Sequence, residues 1–176
     1  MTHATFGPLA FVVPALGASY TMVRPPNNYP RDWSDGPAAY ARNYGAEFGS
    51  NTAGGLTQFA AAAILHEDPR YYPSIDHRFP HRVLHAITFT VVNHSDSGNR
   101  TFAFSNFAGA GAAGFMGNLW EPDGFNNPSH ALERASIDMA TYAGHNLLLE
   151  FSPELTRGLI KLHLVRPRPV PDTAAH

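Results

Sequence analysis

Residues 64–85, ILHEDPRYYPSIDHRFPHRVLH, set His66, His77, His81 and His85 beside Glu67, Asp68 and Asp76. Imidazole and carboxylate are the side chains that ligate divalent metals and exchange protons near neutral pH. His81 and His85 are four residues apart, so on a helix both rings project from one face, the way two imidazoles converge on one ion. His66 and Asp68 could add ligands from the end of a preceding helix, with Asp76 or His77 approaching from the loop. Three such ligands on a divalent ion such as zinc would leave an open position at which water is activated. The glutamate of hydrolytic zinc motifs is missing, because Arg82 follows His81. The competing reading is structural: His, Asp and Pro also suit a solvated connector, and His66 is placed to face a helix C-terminus.

A second constellation lies later in the chain. His130, Arg134, Asp138, Thr141 and His145 share one helical face, so Arg134 and Asp138 can pair four residues apart. As a catalytic row, Asp138 would orient His145 for acid–base work. The structural alternative is the solvated side of an amphipathic helix. His130 and Glu133 reverse the Glu-x-x-His order of di-iron bundles, and no second copy exists. Serine chemistry finds no nucleophile elbow of the G-x-S-x-G kind, so Ser50 and Ser105 read as helix-packing residues. GAGAAG lacks the strand and glycine order of a dinucleotide site, and there is no phosphate-binding loop. The absence of cysteine removes disulfides, thiolate nucleophiles and Cys-ligated clusters.

The elements that must hold these residues follow from charge and periodicity. At 176 residues the chain suits a single domain, read as residues 1–165, with a Pro-rich tail over 166–176. A net charge of -2 without basic stripes argues against a nucleic-acid partner. Residues 1–23, 48–65 and 101–120 contain no Asp, Glu, Lys or Arg. Polar residues and prolines interrupt all three, and the mean hydropathy is -0.21, so they read as buried helices of a bundle in preference to membrane spans. The expected class is mainly α, a helical bundle packed through small residues. Gly109, Ala113 and Gly117 fall on one face at four-residue spacing, a device for close helix approach.

The order predicted is a first helix interrupted near Pro14, a proline-rich loop, and a long helix from about Pro37 to Leu65, bent at Gly54 and Gly55 and stopped by HEDP. HRVLHAITFTVV is ambiguous. Its first half has helical spacing, while ITFTVV and TFAFS alternate like strands of a hairpin within residues 86–105. Asn127 then caps a helix beginning at Pro128 and ending near Pro153.

HEDPRYY (66–72), YARNYGAEFG (40–49), FSNFAGAG (104–111) and NLWEPD (118–123) together resemble an uncharacterised family of small Gly/Ala-rich helical proteins of soil bacteria, many of them exported. The resemblance covers the chain from Phe6 to about Leu155 and brings no activity with it. It implies a bacterial envelope or secreted setting, whereas the opening MTHATF, without a basic residue, is not an export signal, which keeps a cytoplasmic setting open. Two functional expectations result. The first is a compact envelope-associated module that is structural or binds an apolar or lipid-like ligand. The second is a metal-dependent hydrolase of small esters, lactones or phosphoesters, built on His66, Asp68, His81 and His85.

Overall fold

The computed structural model describes residues 9–162. The chain is mainly helical: α1 (Leu9–Val23), α2 (Arg31–Ser34), α3 (Gly36–Leu65), α4 (Phe79–Val91), α5 (Phe104–Met116), α6 (Pro128–Glu150) and α7 (Ser152–Lys161). Three short strands, β1 (Glu67–Asp68), β2 (Val92–Ser95) and β3 (Arg100–Phe102), form one antiparallel sheet in sequence order. Asp68 stands opposite His94, and Asn93 opposite Thr101.

The long α3 is the spine. Helices α1 and α5 pack on it, α6 packs on α5, and α4 packs on α6. Glycine sets the spacing of these crossings. A Cβ on Gly54 would stand 2.8 Å from the Cβ of Ala113 and 2.9 Å from the carbonyl of Gly109, and one on Gly114 only 2.3 Å from the carbonyl of Ala131. Backbones therefore touch across α3–α5 and α5–α6, as the small-residue face of α5 predicts. Among the described residues the buried apolar side chains are Ala18, Ala39, Ala46, Ala62, Ala86, Ala103, Ala110, Ala113 and Ala131, with Pro14 and Phe89 the larger members. Large apolar side chains stand outside instead, among them Leu16 (65% exposed), Phe59 (62%) and Phe107 (41%).

Some sequence expectations are corrected and others hold. Pro14 lies inside a continuous α1 and is fully buried; lacking an N–H, it needs no acceptor in the preceding turn. The expected hairpin exists, but Ile87–Val91 belongs to α4 and strand geometry begins only at Val92. The alternation in ITFTVV thus yields to the helical face that buries Ala86, Phe89 and Thr90. Helix α6 stops at Glu150, before Pro153, which takes up the first turn of α7. Asn127 caps α6 as expected, its side-chain oxygen accepting from the N–H groups of Ser129 and His130. Asp35 stands at the N-cap of α3, but its side chain accepts no capping hydrogen bond. The tail over 166–176 lies outside the described residues.

Candidate functional site

The histidine-rich stretch becomes a knot that ties one end of the bundle. Helix α3 ends at His66 in left-handed geometry (φ 54), its N–H bonded to Ala62 O. The His66 ring is exposed and turns to Asp96, 3.3 Å away. Glu67 points inward. Its carboxylate accepts from the N–H groups of Phe104 (3.1 Å) and Ser105 (3.1 Å), the Ser105 hydroxyl (2.6 Å) and the Asn93 amide (2.9 Å). Ala103, at the N-cap of α5, has no side-chain acceptor to offer, so Glu67 caps that helix from a distant part of the chain.

Asp68 is held by the Arg70 guanidinium, with Nη2 at 2.6 Å and Nε at 2.8 Å, and by the Tyr72 hydroxyl at 2.7 Å. The Arg70 hydrogen bonds outweigh partial burial and keep its carboxyl well below the usual carboxylate range. His81 Nδ1 meets Asp76 at 2.8 Å, while His85 Nε2 lies 3.0 Å from the carbonyl of Tyr72. His66, Asp68, His81 and His85 therefore each face a different protein partner. Among the described residues no three His, Asp or Glu side chains stand together as a metal site.

The other buried carboxylate of this end is Glu150, at the C-terminus of α6 and 1% exposed. It accepts from the Tyr71 hydroxyl (2.5 Å), Ser74 N–H (2.9 Å) and Arg82 Nε (2.8 Å). Burial alone would raise its carboxyl; these donors outweigh burial and hold it below its ordinary value. Arg82 also bonds the Glu150 carbonyl and reaches Glu154 at 2.9 Å.

The second constellation divides. Asp138 and His145 are two helical turns apart, a rise of about 10 Å, and no hydrogen bond joins them; His145 is exposed. Arg134 does not pair with Asp138 either. Its guanidinium donates to the carbonyls of Gly114 (3.0 Å) and Phe125 (3.1 Å) and to Asn118. Asp138 instead lines a cavity of about 180 Å³ between α1, α3, α5 and α6, with Asn51, Gln58 and Tyr142. A smaller hollow of about 90 Å³ shares Asp138 and adds Glu47, Glu121 and Arg134.

Three half-buried carboxyls meet around these hollows. Burial pushes Asp138 up to about 6, with Arg134 opposing. Burial, followed by the charges of Asp138 and Glu121, pushes Glu47 up to about 6. Glu121 is raised by burial too, although Arg134 and the Tyr29 hydroxyl at 3.4 Å pull the other way. Sequence reasoning missed Glu47 and Glu121. The available signal was isolation, since Glu47 is the only charge between Arg42 and Glu67. YARNYGAEFG and NLWEPD meet here, with Glu47 and Glu121 at one hollow and the Trp120 ring 3.1 Å from where a Gly49 Cβ would lie. HEDPRYY and FSNFAGAG meet at the opposite end through Glu67 and Ser105.

A group whose folded pKa is raised makes the fold less stable as pH climbs from its unfolded value to its folded value. For Asp138 that window runs from about 4 to about 6. Asp138→Asn removes the penalty, and after allowance for solvent access the gain is about 1–2 kcal/mol. The expected outcome is a Tm about 4 °C higher at pH 7.5, with little change at pH 4, read by calorimetry.

No protein-family model matches the chain, and neither the curated proteins nor the solved structures contain a match to it.

Proposed function

We propose that the protein is a helical module of the cell envelope that lays its apolar outer faces against lipid. The observation carrying this reading is the inverted distribution of side-chain size. Alanine and glycine fill the helix contacts, and large apolar side chains face outward: Phe11, Val12, Val13 and Leu16 on α1, Leu56 and Phe59 on α3, Phe107 and Phe115 on α5. In water, hydrophobic burial places the large residues inside. Where the surroundings are themselves apolar, that drive disappears and small residues at helix contacts are favoured for packing alone.

Charge supports the same reading. The helical segments 9–23, 48–65 and 104–116 contain no Asp, Glu, Lys or Arg. The Asp and Arg residues of 24–42 gather at one end of the bundle and those of 68–82 at the other. Glu47 and Asp138 line the two hollows, and Glu133 is exposed on α6. Tyr29, Trp33 and Trp120 lie toward one charged end and Tyr71 and Tyr72 toward the other, the places where amphipathic rings suit a lipid–water boundary. No described helix is long and apolar enough to cross a membrane, so the reading is of a body lying at the surface with side chains in the acyl region. The envelope setting implied by the family resemblance agrees with it.

The metal-dependent hydrolase has no comparable support, because its four proposed ligands are each engaged elsewhere. The test is flotation with vesicles of phosphatidylethanolamine and phosphatidylglycerol. The wild-type chain is expected to float with the vesicles. Replacing Phe59 and Phe107 together by Asp should weaken binding by roughly a hundredfold, about 1.4 kcal/mol for each half-buried ring. A wild-type chain that remains with the unbound protein would overturn the proposal.

A further inference from the structure

The hollow between α1, α3, α5 and α6 is lined by Asp138 and neutral polar groups in place of the large apolar side chains of the outer faces. Elsewhere the molecule supplies its buried carboxylates generously with donors: Glu67 accepts from two backbone N–H groups, a hydroxyl and an amide, and Glu150 from an arginine, a tyrosine and a backbone N–H. Asp138 and Glu47, both half-buried, accept no hydrogen bond among the described residues, and Arg134 gives its donors to carbonyls and Asn118. Partial burial without a protein donor disfavours the ionised carboxylate, and a cation that brings its own N–H groups relieves that cost.

The hollow beside Asp138 has room for such a guest. A six-carbon ring fits an apolar cavity of about 150 Å³, and the volume here is about 180 Å³. Its wall joins an acidic group to neutral hydrogen-bonding groups, Asn51, Gln58, Thr52 and Tyr142, and to the apolar Ala113. That combination suits a short aliphatic chain ending in an ammonium group. The adjoining hollow with Glu47 shares Asp138, and so provides a second anionic contact. Metal ions are poorer candidates, because no three ligating side chains stand together among the described residues.

We propose that the cavity between α1, α3, α5 and α6 binds a small organic ammonium ion, with Asp138 as counter-ion and Glu47 receiving a second ammonium group when the guest is a diamine. Titration calorimetry of the full chain at pH 7.5 would use 1,4-diaminobutane, n-butylammonium and n-butanol as probes. Both amines should bind once per chain, the diamine more tightly, and the alcohol should give no binding heat. Asp138→Asn should weaken both amines at least tenfold, Glu47→Gln should weaken the diamine alone, and Glu133→Gln, on the exposed side of α6, should change nothing. The thermal shift produced by each probe reports folding of every variant, and Glu47→Gln gives an independent reading if Asp138→Asn does not fold. Absence of binding by either amine, or equal affinity in wild type and Asp138→Asn, would overturn the proposal.

Discussion

Glu150→Ala should be the most damaging single substitution at the histidine-rich end, lowering stability by about 3–4 kcal/mol in denaturant unfolding at pH 7. Removing one partner of a buried ion pair leaves the other charged and uncompensated, a loss of roughly 3–5 kcal/mol. Arg82 keeps Glu154 as a half-exposed partner, which places the expected value in the lower part of that range. Tyr71 and the Ser74 N–H lose their acceptor at the same time. Tyr71→Phe, which removes a single hydrogen bond to the same carboxylate, should cost only about 1–2 kcal/mol. Equal losses in the two variants would mean that the ion pair contributes nothing and that only packing matters there.

Glu67→Ala should come next, at about 3 kcal/mol. Four donors converge on that carboxylate, two of them the N–H groups that open α5. Loss of a helix cap costs about 1–2 kcal/mol, and the Ser105 hydroxyl would be left buried without its acceptor, while the Asn93 amide would keep only Ser105 Oγ. Glu67→Gln keeps one acceptor oxygen and should recover roughly half of the loss. Hydrogen exchange offers a local check: the amides of Phe104 and Ser105 should lose protection before those in the middle of α3. Unchanged protection there would contradict the capping role.

These two residues explain what the histidine-rich stretch is for in the fold, and also why its sequence invited a metal reading. His81 and His85 do lie one turn apart on α4, as their spacing requires. Spacing along a helix, however, says nothing about the loop between Asp68 and Phe79, and that loop brings Asp76 to His81 and the carbonyl of Tyr72 to His85. Glu67 reads in sequence as one more acidic residue at a helix end. Its role depends on Ala103 lacking a capping side chain thirty-six positions away, a pairing that no local pattern encodes.

Helical periodicity and turn chemistry made more of the fold legible. The cap at Asn127, the stop at HEDP and the small-residue face of α5 all depend on neighbours within one or two turns. Ile87–Val91 misled because five β-branched or aromatic residues suit a strand locally, whereas burial of Ala86, Phe89 and Thr90 favours the helix. The sequence pairs Asp138 with His145, two turns along the same helix, and the structure shows no hydrogen bond between them. The partners that share the Asp138 hollow come from α3 and from the turn after α5, joined only by tertiary packing.

The cysteine-free sequence allows the lipid-facing claim to be tested at single positions. Phe59→Cys, on the outer face of α3, and Ser97→Cys, in the turn between β2 and β3, would each carry an environment-sensitive fluorophore and be mixed with phosphatidylethanolamine–phosphatidylglycerol vesicles containing acyl-chain spin labels. The account predicts a blue shift and strong quenching at position 59 and neither at position 97. A label at position 59 that stays water-like and unquenched while the vesicles are in excess would contradict it.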